Sequence, residues 1–238
     1  MTKPAGRPAL IIANGGLPPR VIVSDLVRRT VAGSGLIVCA DGGARHALSL
    51  GIRPHMILGD LDSLPPAARK SFRRAPIVRD PGQESTDLEK AIRYCIAAGC
   101  GSAVVVGALG DRIDHSTGAL GCLRKYGRRF PLRVLDRSGE VRLLARSEKI
   151  ATRPGEAFSL IPLGRCRGII LKGAEYPLSG ESLEPGVREG ISNRATGSEV
   201  AVRHASGALL LYRLYPAPVR RGGSSPRRSR PARRKSPR

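Results

Sequence analysis

Five aspartates carry the chemistry open to this chain: Asp41, Asp60, Asp62, Asp87 and Asp114. Each stands where an apolar run ends or a helical pattern begins. In MILGDLDSL (Met56–Leu64) two of them are two residues apart. In an extended chain residues i and i+2 project to the same side, so Asp60 and Asp62 would point together and Leu61 away. Close carboxylates repel, so such a pair sits in water or faces a cation. Alone, the stretch reads equally well as a solvated turn, because Asp and Ser are ordinary turn residues. Asp87 could equally serve only its helix N-terminus, and Asp114–His115 could be a capped helix start. Gathered in an otherwise basic chain, the five point further. Hard carboxylates beside a phosphate are the usual way to hold Mg²⁺. Arg112 and His115 share the turn GALGDRIDH (Gly107–His115), where a guanidinium could neutralise charge on a transferred phosphoryl group. Gly42 and Gly43 follow Asp41, and backbone N–H groups there could approach a phosphate. The phosphate-binding signature G-x-x-x-x-G-K-[ST] is absent, which argues against a P-loop kinase. His46, His55 and His204 have no ligand-like spacing. The residues imply Mg²⁺-dependent phosphate chemistry and leave the acceptor open.

The elements that must position these acids alternate in the first half. Ala9–Ala13, Leu36–Ala40 and Ala103–Val106 are continuous apolar runs that read as buried strands, with a short third strand at Met56–Leu58. Helical patterns cover 19–30, 44–50, 86–97 and 115–126. Gly51 and Gly99 suit helix ends. Thr86 and Glu89 fit a capping box, and Leu88, Ala91, Ile92, Cys95 and Ile96 share one face. Apolar strands alternating with helices predict a mostly parallel sheet covered on both faces. In such sheets ligands sit beyond the carboxyl ends of the strands, where Asp41, Asp60 and the 107–114 turn fall. From Leu132 the pattern changes to short strands: a hairpin of 132–135 with 141–144, then 157–162, 168–171, 199–204 and 208–212. That spacing predicts an antiparallel sandwich. The fold class is therefore α/β followed by a β-sandwich, with units at 1–135 and 136–216 and a basic tail at 217–238.

The chain has 238 residues, is 41% hydrophobic and carries a formal charge of +22. Length and composition suit a globular protein of one or two domains. Residues 219–238 hold nine Lys/Arg and no acid; taking those nine from +22 leaves +13 on the remainder. The tail is rich in Pro, Ser, Gly and Arg without hydrophobic period, which predicts disorder. It could bind polyanions weakly by counterion release or act only as a solubilising end. Three Phe, five Tyr and no Trp argue against a base-stacking surface. The five cysteines include no C-x-x-C and lie mostly among apolar residues, which predicts reduced, structural thiols. No apolar run reaches the length of a membrane span or a secretory signal, so a cytoplasmic protein is expected.

ADGGA (Ala40–Ala44), GDLDS (Gly59–Ser63), STDLEKAI (Ser85–Ile92) and GALGDRIDH (Gly107–His115) occur in that order. They resemble the catalytic domain of the thiamine pyrophosphokinase family. Gly173–Leu178 and Gly190–Asn193 resemble the family's thiamine-binding segments. The resemblance implies a catalytic ATP/Mg²⁺ domain and a thiamine-binding sandwich, in a homodimer whose sites lie between subunits. The implied reaction moves pyrophosphate from ATP to the thiamine hydroxyl and releases AMP. Residue by residue, it makes Asp60, Asp62, Asp87 and Asp114 the Mg²⁺ and pyrophosphate acids, with Arg112 on the phosphates. Asp41, Gly42, Ser63, Gln83, Thr86 and His115 would lie at the nucleotide, and Tyr176, Ser192 and Asn193 at thiamine. Leu61 stands where Phe is commoner, Arg194 where Glu is frequent, and Asp111 where a second Gly is expected. If that Gly needs φ > 0, Asp fits it less well. The alternatives are a related pyrophosphokinase acting on another alcohol, such as a hydroxymethyl pterin, and a non-catalytic nucleotide- or polyanion-binding relative.

Overall fold

The computed structural model describes residues 6–216; the predicted basic tail, 217–238, lies outside them. Six strands form the parallel part of one sheet: β1 (Arg7–Ile12), β2 (Leu36–Ala40), β3 (Met56–Gly59), β4 (Ile77–Arg79), β5 (Cys100–Val106) and β6 (Leu132–Leu135). Their spatial order is β6-β5-β1-β2-β3-β4, and every neighbouring pair is parallel. The central strand β1 shows why its sequence is uniformly apolar. Ala9 and Ile11 enter one core cluster, while Leu10 and Ile12 enter another on the opposite face. Side chains alternate along a strand, so a strand covered on both faces needs apolar residues at every position.

The helices divide between those faces. Helices α4 (Asp87–Ala97) and α5 (Ile113–Tyr126) supply Leu88, Ala91, Ile92, Cys95, Ala119, Cys122 and Leu123 to the first cluster. Helices α1 (Arg20–Ala32), α2 (Ala44–Ser49) and α3 (Pro66–Ser71) cover the other face through Val23, Ala44, Ala47 and Ala68. Four residues of the predicted α4 stripe are buried, but Ile96, at the edge of the stripe, is 40% exposed. Gly51 and Gly99 take left-handed φ values of 67° and 76° just beyond α2 and α4, as terminating glycines do. Thr86 Oγ1 accepts from Glu89 N at 3.3 Å. The capping box stops there, because Glu89 turns instead to α5, accepting from Tyr126 Oη at 2.7 Å and Lys125 Nζ at 2.5 Å.

Beyond β6 the same sheet continues antiparallel through β7 (Gly139–Leu143), β14 (Leu209–Leu214), β9 (Ala157–Pro162) and β12 (Gly190–Arg194), reaching ten strands. The predicted hairpin is β6–β7, closed where Asp136 Oδ1 accepts from Ser138 N and Gly139 N at 2.7 and 2.8 Å. A second sheet, in the order β11-β10-β13-β8, contains β8 (Ser147–Ala151), β10 (Cys166–Lys172), β11 (Leu178–Leu183) and β13 (Glu199–Arg203). Phe158, Leu160, Leu209 and Leu211 of the large sheet pack against Ile169, Leu171, Val200 and Val202 of the small one. This is the predicted sandwich, and one of its layers is the extension of the ten-stranded sheet across residue 135. Five elements escaped the sequence reading: α3, β4, β8, β11 and β12. They are three to six residues long and mostly half-exposed, so they lack an apolar period. No helix among the described residues is long and apolar enough to cross a membrane.

Candidate active site

The parallel strands run β1, β2, β3, β4 to one side, and the chain then returns to place β5 on the other side of β1. Such a reversal opens a crevice at the carboxyl ends of the strands. Gly15 N donates to Gly107 O at 2.6 Å there, joining the turns after β1 and β5. A Cβ on Gly107 would stand 2.4 Å from Ala13 O, so only glycine allows this closure. Beside it, at the ends of β2 and β3, the acids collect.

Asp41, Asp60 and Asp87 each offer a carboxylate oxygen within 4.8 Å of the others. Three elements bring them together. Asp41 follows β2 in a three-residue 3₁₀ turn with φ 40°, a left-handed conformation uncommon outside glycine. Asp60 follows β3, and Asp87 opens α4. Gly59 makes the approach possible: a Cβ there would lie 2.7 Å from Asp41 Cβ and 3.2 Å from Asp87 Cγ. Asp41 is buried; its Oδ2 accepts from Ser63 N at 3.1 Å, while Oδ1 has no partner among the described residues. Burial pushes its carboxyl above the ordinary 3.8, the charges of Asp87 and Asp62 add to that, and the Ser63 and Gly42 N–H groups oppose it. An isolated buried carboxylate oxygen is costly. Convergent hard oxygens of this kind suit a divalent cation.

The extended geometry expected for 60–62 does not occur. Strand β3 ends at Gly59 and Leu61 has φ 69°, so the chain turns and Asp62 N bonds back to Asp60 Oδ1 at 3.2 Å. Asp62 stays outside the trio, exposed, accepting from Ser63 Oγ at 2.9 Å. Leu61 packs on the core cluster below. Asp114 is also apart: Arg112 Nε and Nη2 grip it at 3.1 and 2.5 Å, His115 N adds a bond at 2.9 Å, and both partners are exposed. Arg112 foremost holds the Asp114 carboxyl down at about 2. Gln83 is exposed with Nε2 3.3 Å from Pro81 O, and Thr86 is occupied as the cap of α4. The absence of side chains at Gly42 and Gly43 serves packing against the end of β1: a Cβ would meet Asn14 Nδ2 at 2.6 Å or Ile12 O at 2.0 Å. In the 107–115 turn the left-handed residues are Gly107 and Gly110, not Asp111, so Asp at 111 bears no such strain.

Asp41, one of the five acids singled out by placement, is put at the nucleotide by the resemblance, yet it completes the acidic trio. Lys90 was not singled out, yet it is buried with its Nζ 3.2 Å from Asp87 Oδ1. Its position three residues after Asp87 on a helix was the available signal.

Two family models match this chain: "Thiamin pyrophosphokinase, catalytic domain" over residues 27–134 and "Thiamin pyrophosphokinase, vitamin B1 binding domain" over 146–209. The chain belongs to the thiamin pyrophosphokinase family. Similar relatives carry the same description. Thiamine pyrophosphokinase of Bacillus subtilis is 25% identical over 210 residues, 85% of this chain and 96% of that one. Thiamin pyrophosphokinase 1 of Caenorhabditis elegans is 27% identical over 177 residues, 68% of this chain and 70% of that one. The crystal structure of thiamin pyrophosphokinase from Geobacillus thermodenitrificans superposes with TM-score 0.75 at 25% identity, covering 88% of this chain and 98% of that one.

Within this family fold the distal candidates lie on and beside β12. Asn193 is 7% exposed; its Oδ1 accepts from Tyr176 N at 3.1 Å and Arg194 N at 2.8 Å, and its Nδ2 donates to Tyr176 O at 2.8 Å. The amide thus holds the Tyr176 backbone. Tyr176 itself is left 62% exposed. Ser192 has φ 58° and is anchored through its N–H to Ser159 Oγ at 3.0 Å. These residues form a ledge, with Asn193 its bracket. Strand β12 stands eight places from β3 in the ten-stranded sheet. At about 4.8 Å per strand, the ledge and the trio are ~38 Å apart along one chain's sheet.

Proposed function

We propose that this protein transfers pyrophosphate from ATP to the hydroxyl of thiamine, giving thiamine diphosphate and AMP. The observation that carries the reading is the carboxylate trio at the crevice of a chain matching both the catalytic and the vitamin B1 binding models of the family. The match over 146–209 favours thiamine over a pterin alcohol. The thiamine alcohol attacks the β phosphorus of ATP and AMP leaves, a step whose barrier lies mainly in alignment and charge. Asp41, Asp60 and Asp87 fit Mg²⁺: all donors are hard oxygens and Asp41 Oδ1 is buried without a partner. When bound, the ion supplies charge neutralisation at the phosphate oxygens. Arg112, exposed on the neighbouring turn and oriented by Asp114, supplies a mobile cation to the same oxygens. Asp62, Ser63, Gln83 and His115 line the approach for the nucleotide. Tyr176, Ser192 and Asn193 form the thiamine ledge, Asn193 by positioning.

The separation of ledge and trio by eight strand positions of one sheet supports a homodimer in which the ledge of one subunit faces the acids of the other. Five buried free thiols suit a reducing, cytoplasmic compartment. The basic C-terminal segment adds weak polyanion binding, screened by salt. The test is turnover of purified protein with thiamine, ATP and Mg²⁺, separating AMP from ADP. Equal yields of AMP and thiamine diphosphate, lost with EDTA, are expected. ADP with thiamine monophosphate would overturn the reaction type, and no product from a folded dimer would overturn the acceptor.

A further inference from the structure

Lys90 stands on α4, one turn beyond Asp87, and is 5% exposed. A buried ammonium is expensive to keep, and an apolar side chain on a packed helix avoids that cost. The geometry shows what the charge is attached to. Lys90 Nζ donates to Asp80 O at 2.7 Å and to Asp87 Oδ1 at 3.2 Å. Asp80 N in turn donates to Gly59 O at 2.8 Å, at the end of β3, and Asp80 Oδ1 accepts from Gly82 N at 3.0 Å. One side chain therefore connects the end of β3, the loop over residues 80–86 and one member of the acidic trio.

We infer that Lys90 is a positioning residue and resident counter-charge, which aims the Asp87 carboxylate at Asp41 and Asp60 and limits how tightly the trio holds a divalent cation by itself. The inference deepens the phosphate-transfer reading above and rests on it. The trio gathers three carboxylates at one point, and without an opposing charge it would retain a divalent ion whether or not nucleotide were present. A fixed ammonium touching one carboxylate repels the incoming cation by Coulomb's law. Tight capture then requires the phosphate oxygens of the nucleotide, so the ion arrives and departs with substrate and product. Asp87 keeps its place as the first residue of α4 when Lys90 is removed, so the charge effect dominates over lost aim in metal binding.

The test is Mn²⁺ binding, followed by the electron paramagnetic resonance of free Mn²⁺, without thiamine or nucleotide. Lys90→Met is expected to bind Mn²⁺ about tenfold or more tightly than the native chain, with kcat reduced and KM for thiamine unchanged. Lys90→Arg is expected to restore native Mn²⁺ affinity. A purely structural lysine would leave Mn²⁺ affinity unchanged or weaken it, and either result in folded Lys90→Met overturns the inference. Should Lys90→Met fail to fold, Asp87→Asn is compared with Asp87→Asn/Lys90→Met, which buries no unpaired carboxylate. The same direction of change is expected there, and equal affinities overturn the inference. Undetectable Mn²⁺ binding in native and variant chains alike also overturns it. Thiamine turnover is measured separately, so loss of this inference leaves the proposed reaction standing, and loss of the reaction is seen without any Mn²⁺ measurement.

Discussion

Replacing Gly59 by alanine adds one methyl group between two carboxylates. That Cβ would stand 2.7 Å from Asp41 Cβ and 3.2 Å from both Cγ and Oδ1 of Asp87. Nonbonded carbons rest about 3.5–4.0 Å apart, so Asp41 must withdraw by roughly 1 Å. It has little freedom to do so, being buried at φ 40° and tied to Ser63 N. Overpacking of this size costs about 1–3 kcal/mol, which lowers the melting temperature by ~2–12 °C in a domain of this length. A displacement of about 1 Å in a positioning group costs on the order of 10²-fold in rate. Gly59→Ala should therefore lose about two decades of kcat/KM for ATP, read as AMP release, while remaining folded below its lowered midpoint. Gly121→Ala is the control: it lies in α5 with nothing within 4 Å of its Cβ. It should stabilise the helix by up to ~1 kcal/mol and leave the rate alone. Gly59→Ala with kcat/KM within threefold of native and an unchanged melting temperature would refute the reasoning, because the methyl would have been accommodated without moving the acids.

Further outcomes follow from the same geometry. Burial raises the Asp41 carboxyl, so its protonated form stabilises the fold fully below the ordinary value of 3.8 and that contribution is lost as pH rises through the raised value. In chelator, Asp41→Asn should thus gain on the native chain as pH climbs from about 3 to 7, and parallel melting curves would contradict this. Asn193→Ala removes the bracket on Tyr176 and should cost ~1–3 kcal/mol of stability. It should also raise KM for thiamine more than KM for ATP; equal changes would count against the ledge. All five thiols are buried; Cys39 and Cys95 are pushed up to about 12 and Cys122 to about 11 by burial. Ellman's reagent should react with none of them rapidly in the native protein and with all five in denaturant, and a fast native thiol would break the expectation.

Much of the fold was legible because long, two-sided burial leaves a periodic trace. Strand β1 needs apolar residues on both faces, and α4 needs a stripe. The short half-exposed elements α3, β4, β8, β11 and β12 left none. For the candidate site, the residue types and their placement at strand ends were readable, and four of the expected aspartates were expected to act as one metal set. Only Asp60 and Asp87 of those four stand in the trio, joined by Asp41. Asp114 is held apart by Arg112.

Local sequence by itself determined the strand–helix alternation, the Thr86 cap and the terminating glycines at 51 and 99, the change to short strands from Leu132 and the family motifs, since each depends on neighbours within a few residues. Tertiary structure alone decided which carboxylates meet. That choice rests on Gly59 leaving room between Asp41 and Asp87, on the left-handed turns at Asp41 and Leu61, and on Lys90 reaching back to Asp80 and Asp87. Contacts made across β2, β3 and α4 depend on distances of a few tenths of an ångström between segments far apart in the chain. Residue type and spacing do not encode such distances until the core has packed.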